Sequence, residues 1–403
     1  MRIGINASFV RKPDTGIGQV TVNFLRKLTE LTTHNSQPTT NEFFLYLEED
    51  MPKDFKLPRS FHTRVFLPIW KRDDLVRKIW WEKKLLPNKV RKDKCEVFIS
   101  LYQSATILGT KSPRGDLVPK HIMVVHDIIP KLFSEYLGNA RKKYYWSLIE
   151  EAIKKTDKIL AVSRQSEKDL IRHLGISPKK ISVAYIDAGE NYKKKVSEIQ
   201  SRKILKRYKL KPGYILGGGG LEVRKNVEGV IRAYKILLDE NKKRKFSSEF
   251  PKLVIYGKLI PRLAPLITDA EKLVKELNLT RSVKLLDLVP EKDLPAIFRN
   301  SLMFVYPSFY EGFGLPVLEA MNQGAPVVTA KTSSLPEVGG DSVLYCDPGD
   351  IKDIAMVMKN VMLNKDLRAT LSRRGKDRAK IFSWEKFVEK ILNIADEISS
   401  GKN

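Results

Sequence analysis

Two carboxylate side chains, Glu311 and Glu319, flank a glycine-rich turn in the C-terminal half of the sequence. The residues between them read Gly-Phe-Gly-Leu-Pro-Val-Leu, in which Pro316 suits the first turn of a helix. Gly312 and Gly314 allow the backbone to approach a ligand, and the free N–H groups at a helix start suit an anion. Because carboxylates accept hydrogen bonds from sugar hydroxyls, the arrangement suits a glycosyl nucleotide. The alternative is a structural turn with two solvent-facing carboxylates.

A second glycine-rich segment, residues 217–226, reads Gly-Gly-Gly-Gly-Leu-Glu-Val-Arg-Lys-Asn and follows the first predicted strand of this half. Gly219 and Gly220 permit close approach of the backbone, and Arg224 and Lys225 bring positive charge that suits a diphosphate leaving group. The Gly-x4-Gly-Lys-Ser/Thr pattern of a P-loop is absent. A purely structural turn explains this segment equally well.

Two segments of the N-terminal half also carry candidate site residues. Gly16 and Gly18 lie in the loop 13–19, which follows the first predicted strand and leads into a helix. His126 and Asp127 close a later strand, in Val-Val-His-Asp-Ile-Ile-Pro. The carboxyl end of a parallel strand is where a histidine can meet a ligand, although a structural role fits this position equally.

Short apolar runs rich in Val and Ile alternate with helical periodicity, which is clearest over 140–155 and 163–174. This alternation predicts an α/β protein with parallel sheets covered by helices on both faces. We predict strands over 3–6, 43–47, 64–67, 97–100, 122–126, 158–162 and 181–185, and then over 214–217, 253–256, 282–286, 303–306, 325–329 and 342–345.

The pattern breaks over 191–211, which contains nine basic residues and one acidic residue and has a helical period only in its second half. Because domain boundaries favour polar and flexible stretches, we predict an N-terminal domain over 1–195, a linker over 196–212 and a C-terminal domain over 213–383. Two such sheets in one chain predict a deep cleft between two facing domains, with ligands beyond the carboxyl ends of the strands.

The composition indicates an ordered and strongly basic protein. Of 403 residues, 42% are hydrophobic and 30% are charged, and 73 Lys and Arg against 47 Asp and Glu give a formal net charge of +26. Such a surface attracts nucleic acid, anionic lipid or diphosphate-bearing substrates. The alternative is that the charge has no binding function and reflects a compositional bias toward lysine.

The cysteines, the apolar runs and the acidic pairs of the sequence bear on cellular location and on metal binding. Cys95 and Cys346 have neither metal-ligand nor redox spacing, so each reads as a small core residue. The chain opens on a strand pattern that leaves no room for a signal peptide, and no apolar run approaches about 18 residues. We therefore expect a reduced, cytoplasmic protein. The pair Asp73-Asp74 is not the Asp-x-Asp signature of a metal site.

With these motifs in order along most of its length, the chain resembles family four (group 1) of the retaining GT-B glycosyltransferases, in the mannosyltransferase-like branch. The Glu-x7-Glu signature stands as Glu311 and Glu319. Further segments that match the family lie at 161–166, 219–226, 288–294 and 382–384. The resemblance implies two facing Rossmann-like domains, of which the first binds the acceptor and the second binds a donor nucleotide-sugar, and a last helix over about 384–403 that packs back on the first.

The resemblance also implies roles for individual residues. Glu311 would contact the donor sugar, and Lys225, with Arg224 as a second candidate, would neutralise the departing diphosphate. His126 would touch the transferred sugar and the acceptor, and the N-terminal loop glycines, Gly16 and Gly18, would approach the diphosphate. The residues expected to bind the donor are Glu319, Gly312, Phe313, Gly314, Leu315, Val289, Gly219 and Gly220.

Two departures from the family pattern bear on these roles. Some relatives carry an arginine six residues before the phosphate lysine, where this chain has Gly219. The loop after Val183 usually reads like Asn-Gly-Val, whereas residues 185–188 here read Tyr-Ile-Asp-Ala. The first departure concerns diphosphate binding, and the second concerns contacts on the acceptor side.

The expected reaction is front-face transfer with retention, in which the acceptor hydroxyl passes its proton toward the departing phosphate. Cations and helix N-termini stabilise that leaving group, so we expect no metal ion and no other cofactor. The loop 15–18 and the pair His126-Asp127 favour GDP-mannose as donor, with a UDP-sugar as the alternative. The expected acceptor is a glycan or lipid-linked saccharide of surface polysaccharide biosynthesis.

A membrane contact and several rival functions remain open. The segment 67–86, with Trp70, Trp80 and Trp81, reads as a core helix or as an interfacial helix on an anionic membrane. A nucleic-acid or polyanion-binding protein is motivated only by the charge, because no zinc-finger spacing or RNA-recognition motif is present. A phosphorylase or sucrose-type synthase would need a longer chain. An inactive scaffold is disfavoured because Glu311, Glu319 and Lys225 are intact.

Overall fold

The computed structural model describes residues 1–13, 15–34, 40–52, 55–67, 73–109, 118–244, 250–260 and 265–401. Its contacts divide the chain into two units. Unit 1 comprises Met1–Ile186 and Ser383–Asn403, and unit 2 comprises Asp187–Phe382. Each unit is built on one parallel sheet, so the predicted α/β class with two Rossmann-like domains is confirmed.

The sheet of unit 1 has seven strands in the order β3-β2-β1-β4-β5-β6-β7, and all of its pairings are parallel. Its strands are β1 (Arg2–Asn6), β2 (Glu42–Leu47), β3 (Phe61–Val65), β4 (Val97–Ser100), β5 (Lys120–Val125), β6 (Lys158–Ala161) and β7 (Ile181–Val183). The side chains of β4 are buried on both faces, as expected for a parallel strand between helical layers.

The sheet of unit 2 has six parallel strands in the order β10-β9-β8-β11-β12-β13. Its strands are β8 (Tyr214–Gly218), β9 (Leu253–Tyr256), β10 (Val283–Leu286), β11 (Ser301–Tyr306), β12 (Val327–Ala330) and β13 (Leu344–Cys346). Every predicted strand overlaps an observed one. The third begins earlier than predicted, because Phe61 pairs with Phe43 of β2.

Sixteen α-helices are assigned in the described residues. In chain order they are α1 (Gly16–His34), α2 (Asp74–Trp80), α3 (Leu86–Lys92), α4 (Ile129–Leu132), α5 (Ala140–Lys155), α6 (Arg164–Leu174), α7 (Glu190–Lys193), α8 (Glu198–Arg207), α9 (Val227–Arg244), α10 (Ala270–Glu276), α11 (Leu294–Arg299), α12 (Leu315–Asn322), α13 (Leu335–Gly339), α14 (Ile351–Leu363), α15 (Lys365–Ala379) and α16 (Trp384–Ser399). A π-helical stretch, Trp81–Leu85, joins α2 to α3.

Side-chain caps explain where several helices begin. Asn139 and Ser163 accept hydrogen bonds from backbone N–H groups of α5 and α6, and Ser383 does the same for α16. Each satisfies an N–H that has no partner inside the helix. The cap at Ser383 starts a helix whose apolar face includes Phe387, which meets Phe24 of α1 edge-on at 6.3 Å between ring centroids. The last helix thus packs within unit 1.

The segment predicted as a linker over 196–212 is instead largely helical and belongs to unit 2. It contains α8, in which Ile204 and Leu205 are buried while the basic residues lie on the outer face. Arg207 donates to a carboxylate oxygen of Asp293 at 2.6 Å. The boundary between the two units falls after Ile186. The basic composition of the segment 196–212 reflects a solvated helix face rather than a flexible connection.

Candidate active site

The candidate donor residues lie at the carboxyl edge of the sheet in unit 2. The chain passes from β8 through β9 to β10 on one side, and then crosses to β11 on the other side. Ligands of open parallel sheets bind where the strand order reverses in this way. Both glycine-rich motifs begin at this point, because Gly219 follows β8 and Pro307 follows β11.

The loop after β8 packs directly against the start of α12. Gly218, Gly219 and Gly220 have φ angles of 127°, 89° and 122°, which favour glycine over any other residue. A Cβ atom at Gly219 would lie 3.2 Å from Cγ of Pro316, and one at Gly220 would lie 2.5 Å from Nζ of Lys225. The glycines therefore let the loop, the lysine and the helix start occupy one small region.

Glu311 is the centre of a hydrogen-bond cluster. Its Oε1 atom accepts from Nη1 of Arg224 at 2.7 Å, from the hydroxyl of Tyr306 at 2.7 Å and from the hydroxyl of Ser308 at 2.9 Å. Nη1 of Arg224 also donates to the carbonyl of Tyr310 at 2.8 Å. Among the described residues, Oε2 of Glu311 receives no hydrogen bond. One oxygen is thus fixed by protein groups, and the other is available for a ligand.

The two basic residues of the motif have different partners. Arg224 pairs with Glu311, so its guanidinium orients the carboxylate. Nζ of Lys225 donates to the carbonyl of Gly219 and lies 3.3 Å from Oε2 of Glu222. Of the two cations predicted to meet the diphosphate, Lys225 is therefore the one placed at the glycine loop, while Arg224 acts through Glu311.

Glu319 lies on α12, where it is only 5% exposed. Burial raises the pKa of Glu319 to about 8, and the charge of Glu291 adds to the rise, while Lys225 and the hydroxyl of Tyr192 oppose it. The loop that carries Val289 lies near Glu319, because Glu291, which interacts with Glu319, is only two residues after Val289. Val289 itself is 7% exposed.

The turn between Glu311 and Glu319 is held by Ser334, which lies just before α13. The hydroxyl of Ser334 donates to the carbonyls of Glu311 and Phe313 at 2.9 and 2.8 Å, and Gly314 has a φ angle of 108°. The predicted donor residues that unit 2 brings together are Glu311, Glu319, Gly312, Phe313, Gly314, Leu315, Gly219, Gly220, Arg224, Lys225 and Val289. The remaining predicted residues belong to unit 1.

His126 follows β5 directly and is held in one tautomer. Its Nε2 atom lies 2.9 Å from the carbonyl of Leu101, and because a carbonyl only accepts, Nε2 carries the proton. In the neutral ring Nδ1 is then the acceptor. Burial lowers the pKa of His126, and the carbonyl of Leu101 and the carboxylate of Asp127 oppose that shift. The ring is therefore suited to accept a hydrogen bond from a hydroxyl.

The two glycines predicted to lie in an N-terminal loop belong to the first turn of α1, and they differ in their surroundings. A Cβ atom at Gly18 would lie 1.8 Å from the carbonyl oxygen of Lys12, whereas one at Gly16 would meet nothing within 4 Å. Gly18 is therefore required where the first turn of α1 packs against the segment that precedes it. Only Gly16 has the open side that the predicted approach to a ligand needs.

Sequence reasoning overlooked several partners of these residues. Tyr306 and Ser308, which bind Glu311, lie in the same segment and could have been read as hydroxyl donors beside it. Asn226 donates to the carbonyls of Pro307 and Pro348 at 3.2 and 2.8 Å, and so joins two loops. Tyr192 gave no local signal, because it lies beside the segment interpreted as a linker and meets Glu319 only in the folded unit.

Comparisons with known proteins agree with this architecture. Residues 197–378 match the family described as "Glycosyl transferases group 1", and residues 16–185 match "Glycosyltransferase Family 4". O-antigen chain mannosyltransferase B of Escherichia coli is 33% identical over 273 residues, which are 68% of this chain and 69% of that protein. Serotype-specific mannosyltransferase WbdA of Escherichia coli is 31% identical over 71% of this chain, which spans 34% of that protein.

Among solved structures, Anabaena Alr3699/HepE in complex with UDP and glucose matches with a TM-score of 0.70 at 16% identity, over 98% of this chain and 99% of that one. A likeness at this identity shows a shared fold. Together with the 33% identity to the mannosyltransferase, the two family matches show that this chain belongs to the group 1, family 4 glycosyltransferases.

Proposed function

We propose that the protein transfers a mannosyl residue from GDP-mannose to a glycan or lipid-linked saccharide, with retention at the anomeric carbon, in surface polysaccharide biosynthesis. The observation that carries this proposal is the junction of Glu311, Glu319 and Lys225 at the strand-order reversal of unit 2. Two buried carboxyl groups beside a cation suit a ligand that combines hydroxyls with a diphosphate.

In the proposed reaction the bond between the anomeric carbon and the diphosphate oxygen breaks while the acceptor oxygen bonds to that carbon. The acceptor proton passes to the departing phosphate oxygen, so the products are a mannoside and GDP. Negative charge grows on the leaving group, where Lys225 and the N-terminus of α12 would stabilise it. Glu311, oriented by Arg224, would bind the sugar hydroxyls. These groups supply the stabilisation without a metal ion.

The choice of mannose is supported by the two Escherichia coli relatives, both of which are mannosyltransferases. The choice of GDP as the nucleotide is based on the loop 15–18 and on the pair His126-Asp127, which resemble those of the mannosyltransferase-like branch. A UDP-sugar is the second candidate, because the fold neighbour was solved with UDP and glucose.

Thermal melting of the purified protein with GDP, UDP and ADP tests the donor. A nucleotide at about one hundred times its dissociation constant stabilises the fold by roughly 2.7 kcal/mol. We expect a shift of several degrees with GDP, which Glu319→Ala abolishes and Glu228→Ala, on the exposed face of α9, leaves intact. Equal shifts with all three nucleotides and with a single-stranded oligonucleotide would indicate charge attraction alone. A shift specific to UDP would establish the second candidate.

Turnover measurements then test the chemistry. Glu311→Gln keeps the shape of the side chain but removes the charge that faces Arg224, and Lys225→Ala removes the ammonium at the glycine loop. We expect each change to lower kcat by about a hundredfold or more, in keeping with the loss of one preorganised electrostatic contact. Rates near those of the original protein in both variants would refute the assigned roles.

We also propose that unit 1 contacts an anionic membrane, where a lipid-linked acceptor would reside. Trp81 is fully buried and Trp80 is 40% exposed, so the tryptophan-rich segment is partly core and partly surface; Trp70 lies outside the described residues. The "α2–α5 surface" lines a depression of about 590 Å³, and its members are Val76, Trp80, Lys83, Lys84, Arg141 and Tyr144. Exposed aromatic rings beside cations suit the headgroup region of an anionic bilayer.

A further inference from the structure

A tyrosine hydroxyl is buried beside the donor residues of unit 2 without a hydrogen-bond partner. Tyr192, on α7, is fully buried, and none of the described residues makes a hydrogen bond with its hydroxyl group. Buried polar groups are nearly always paired in folded proteins, because an unpaired group loses its bonds to water without replacement. A hydroxyl left unpaired in this way is a candidate for a bond that forms only when a ligand is present.

The helix that carries Tyr192 is bound to the helix that carries Glu319. Nε2 of Gln323 donates to the backbone carbonyls of Tyr192 and Lys194. Gln323 caps the C-terminus of α12 and follows Glu319 by four positions, and residues four apart lie on one face of a helix. The face of α12 that presents Glu319 therefore packs against α7.

Contacts with the segment 291–299 hold α7 from another direction. Nδ2 of Asn191 donates to the backbone carbonyl of Glu291 at 3.3 Å. The ring of Tyr192 meets the ring of Phe298, on α11, edge-on at 6.2 Å between centroids. With its backbone bound to α12 and its ring packed on α11, Tyr192 has a fixed position in the free protein.

The hydroxyl of Tyr192 faces the carboxyl group of Glu319. Burial raises the pKa of Tyr192, and the charges of Glu319 and Glu291 add to the rise, so the hydroxyl stays protonated and can donate. Its proximity in turn opposes the rise in the pKa of Glu319, although the two groups lie outside hydrogen-bond geometry. Because the tyrosine is fixed, the carboxyl group is the partner that can move to complete the bond.

We infer that Tyr192 is a positioning residue for Glu319, an inference that rests on the proposed function and deepens it. When the donor nucleotide binds, the hydroxyl of Tyr192 donates to the carboxyl group of Glu319 and holds that group against the hydroxyls of the nucleotide. Glu311 has a corresponding partner in Arg224, but that pair is already formed in the free protein. The bond from Tyr192 forms only in the occupied site, so it strengthens binding without stabilising the free protein.

Tyr192→Phe tests this inference, because it removes the hydroxyl and keeps the ring that packs on α11. Calorimetric titration of the full chain with GDP measures the dissociation constant. We expect Tyr192→Phe to weaken GDP binding about tenfold, which corresponds to about 1.4 kcal/mol. The melting temperature of the free variant should stay the same or rise, since the variant no longer buries an unpaired hydroxyl.

Tyr234→Phe is the matched control, and it should behave in the opposite way. Tyr234 is also buried, but its hydroxyl donates to the carbonyls of Pro251 and Ser282 at 3.0 and 3.2 Å. These residues precede β9 and β10 and so lie at the amino edge of the sheet, away from the donor residues. We expect this variant to melt at a lower temperature and to bind GDP as the original protein does.

A Glu319→Ala background separates action through Glu319 from direct contact with the nucleotide. With GDP titrated to higher concentrations, adding Tyr192→Phe to this background should change the dissociation constant by less than about twofold, because the group on which the hydroxyl acts is gone. A loss of about tenfold that persists there would overturn the positioning role. In turnover, Tyr192→Phe should raise the donor KM about tenfold and leave kcat within about twofold, as expected for a loss of binding alone.

The outcomes for the inference and for the proposed function are distinguishable. If GDP binds the original protein and Tyr192→Phe leaves its dissociation constant unchanged, the role of Tyr192 is overturned and the proposed function stands. If the original protein binds UDP instead, the same variants are titrated with UDP, and the same results decide. If neither nucleotide binds the original protein, the proposed function fails, and the inference about Tyr192 fails with it.

Discussion

The two carboxyl groups of the Glu-x7-Glu signature have opposite surroundings. Glu311 faces the guanidinium of Arg224 and two hydroxyl donors. Glu319 is enclosed in the unit with Glu291 as a neighbour, and its pKa is raised to about 8 by burial above all. At neutral pH the second carboxyl group therefore holds a proton, and it can donate to a ligand oxygen as well as accept.

The raised pKa of Glu319 makes stability depend on pH. Between about 4.5 and about 8 the folded protein holds a proton that the unfolded chain releases, so stability falls as the pH rises through this window, by up to about 1.4 kcal/mol per pH unit. Glu319→Gln lacks this proton equilibrium. We expect its melting temperature, relative to that of the original protein, to increase steadily from pH 5 to pH 8.

The matched control for this measurement is Glu228→Gln, which changes an exposed carboxyl group on α9. Its melting temperature relative to the original protein should stay constant over the same range. A constant difference for Glu319→Gln as well would mean that Glu319 is ionised in the folded unit. In that case its neutral form would have no part in binding.

At the scale of elements, the strands were predictable because parallel strands covered on both faces read as short apolar runs. The run Leu253–Tyr256, for instance, is β9 without a change of bounds. The helical period of α8 was recognised only in the second half of 191–211, and the many lysines and arginines led us to interpret the segment as a linker. The spacing of Glu311 and Glu319 predicted a site on a helix start, but the pairing of Arg224 with Glu311 joins residues 87 positions apart and had no local signal.

The first turn of α1 gives a prediction from a matched pair of glycines. Gly18→Ala forces a Cβ atom onto the carbonyl of Lys12, and such overpacking costs about 1–3 kcal/mol. Gly16→Ala meets no neighbour, and replacing glycine at a compatible position gains up to about 1 kcal/mol. We expect urea midpoints to fall for Gly18→Ala and to hold or rise for Gly16→Ala.

Turnover of the same pair distinguishes packing from ligand contact. If Gly16→Ala is stable but has lost activity, the predicted approach of this loop to the donor is supported. If it is stable and fully active, Gly16 has no such contact. A stable Gly18→Ala would instead mean that the loop before α1 rearranges easily.

At the scale of the whole molecule, two properties depend on the complete chain: the packing of its last helix and its net charge. The helix α16 closes unit 1 although the 196 residues of unit 2 come before it in the chain, so truncation before Trp384 would remove part of the first core. No helix in the described part of the chain has the length and apolar character to span a bilayer. The net charge of +26 attracts any polyanion, so only a local test can assign it to a membrane.

That local test compares two charge reversals of equal size. Lys83→Glu with Lys84→Glu changes the α2–α5 surface, and Lys242→Glu with Lys243→Glu changes the end of α9 in unit 2. Since each lysine near an anionic bilayer contributes about 1 kcal/mol, we expect the first pair to weaken co-sedimentation with phosphatidylglycerol-containing vesicles at least tenfold at low salt. The second pair should have a much smaller effect, and Trp80→Ser should weaken binding even at high salt, where charge is screened. If both pairs weaken co-sedimentation equally and Trp80→Ser has no effect, the vesicles bind the protein through its general positive charge and not through the α2–α5 surface.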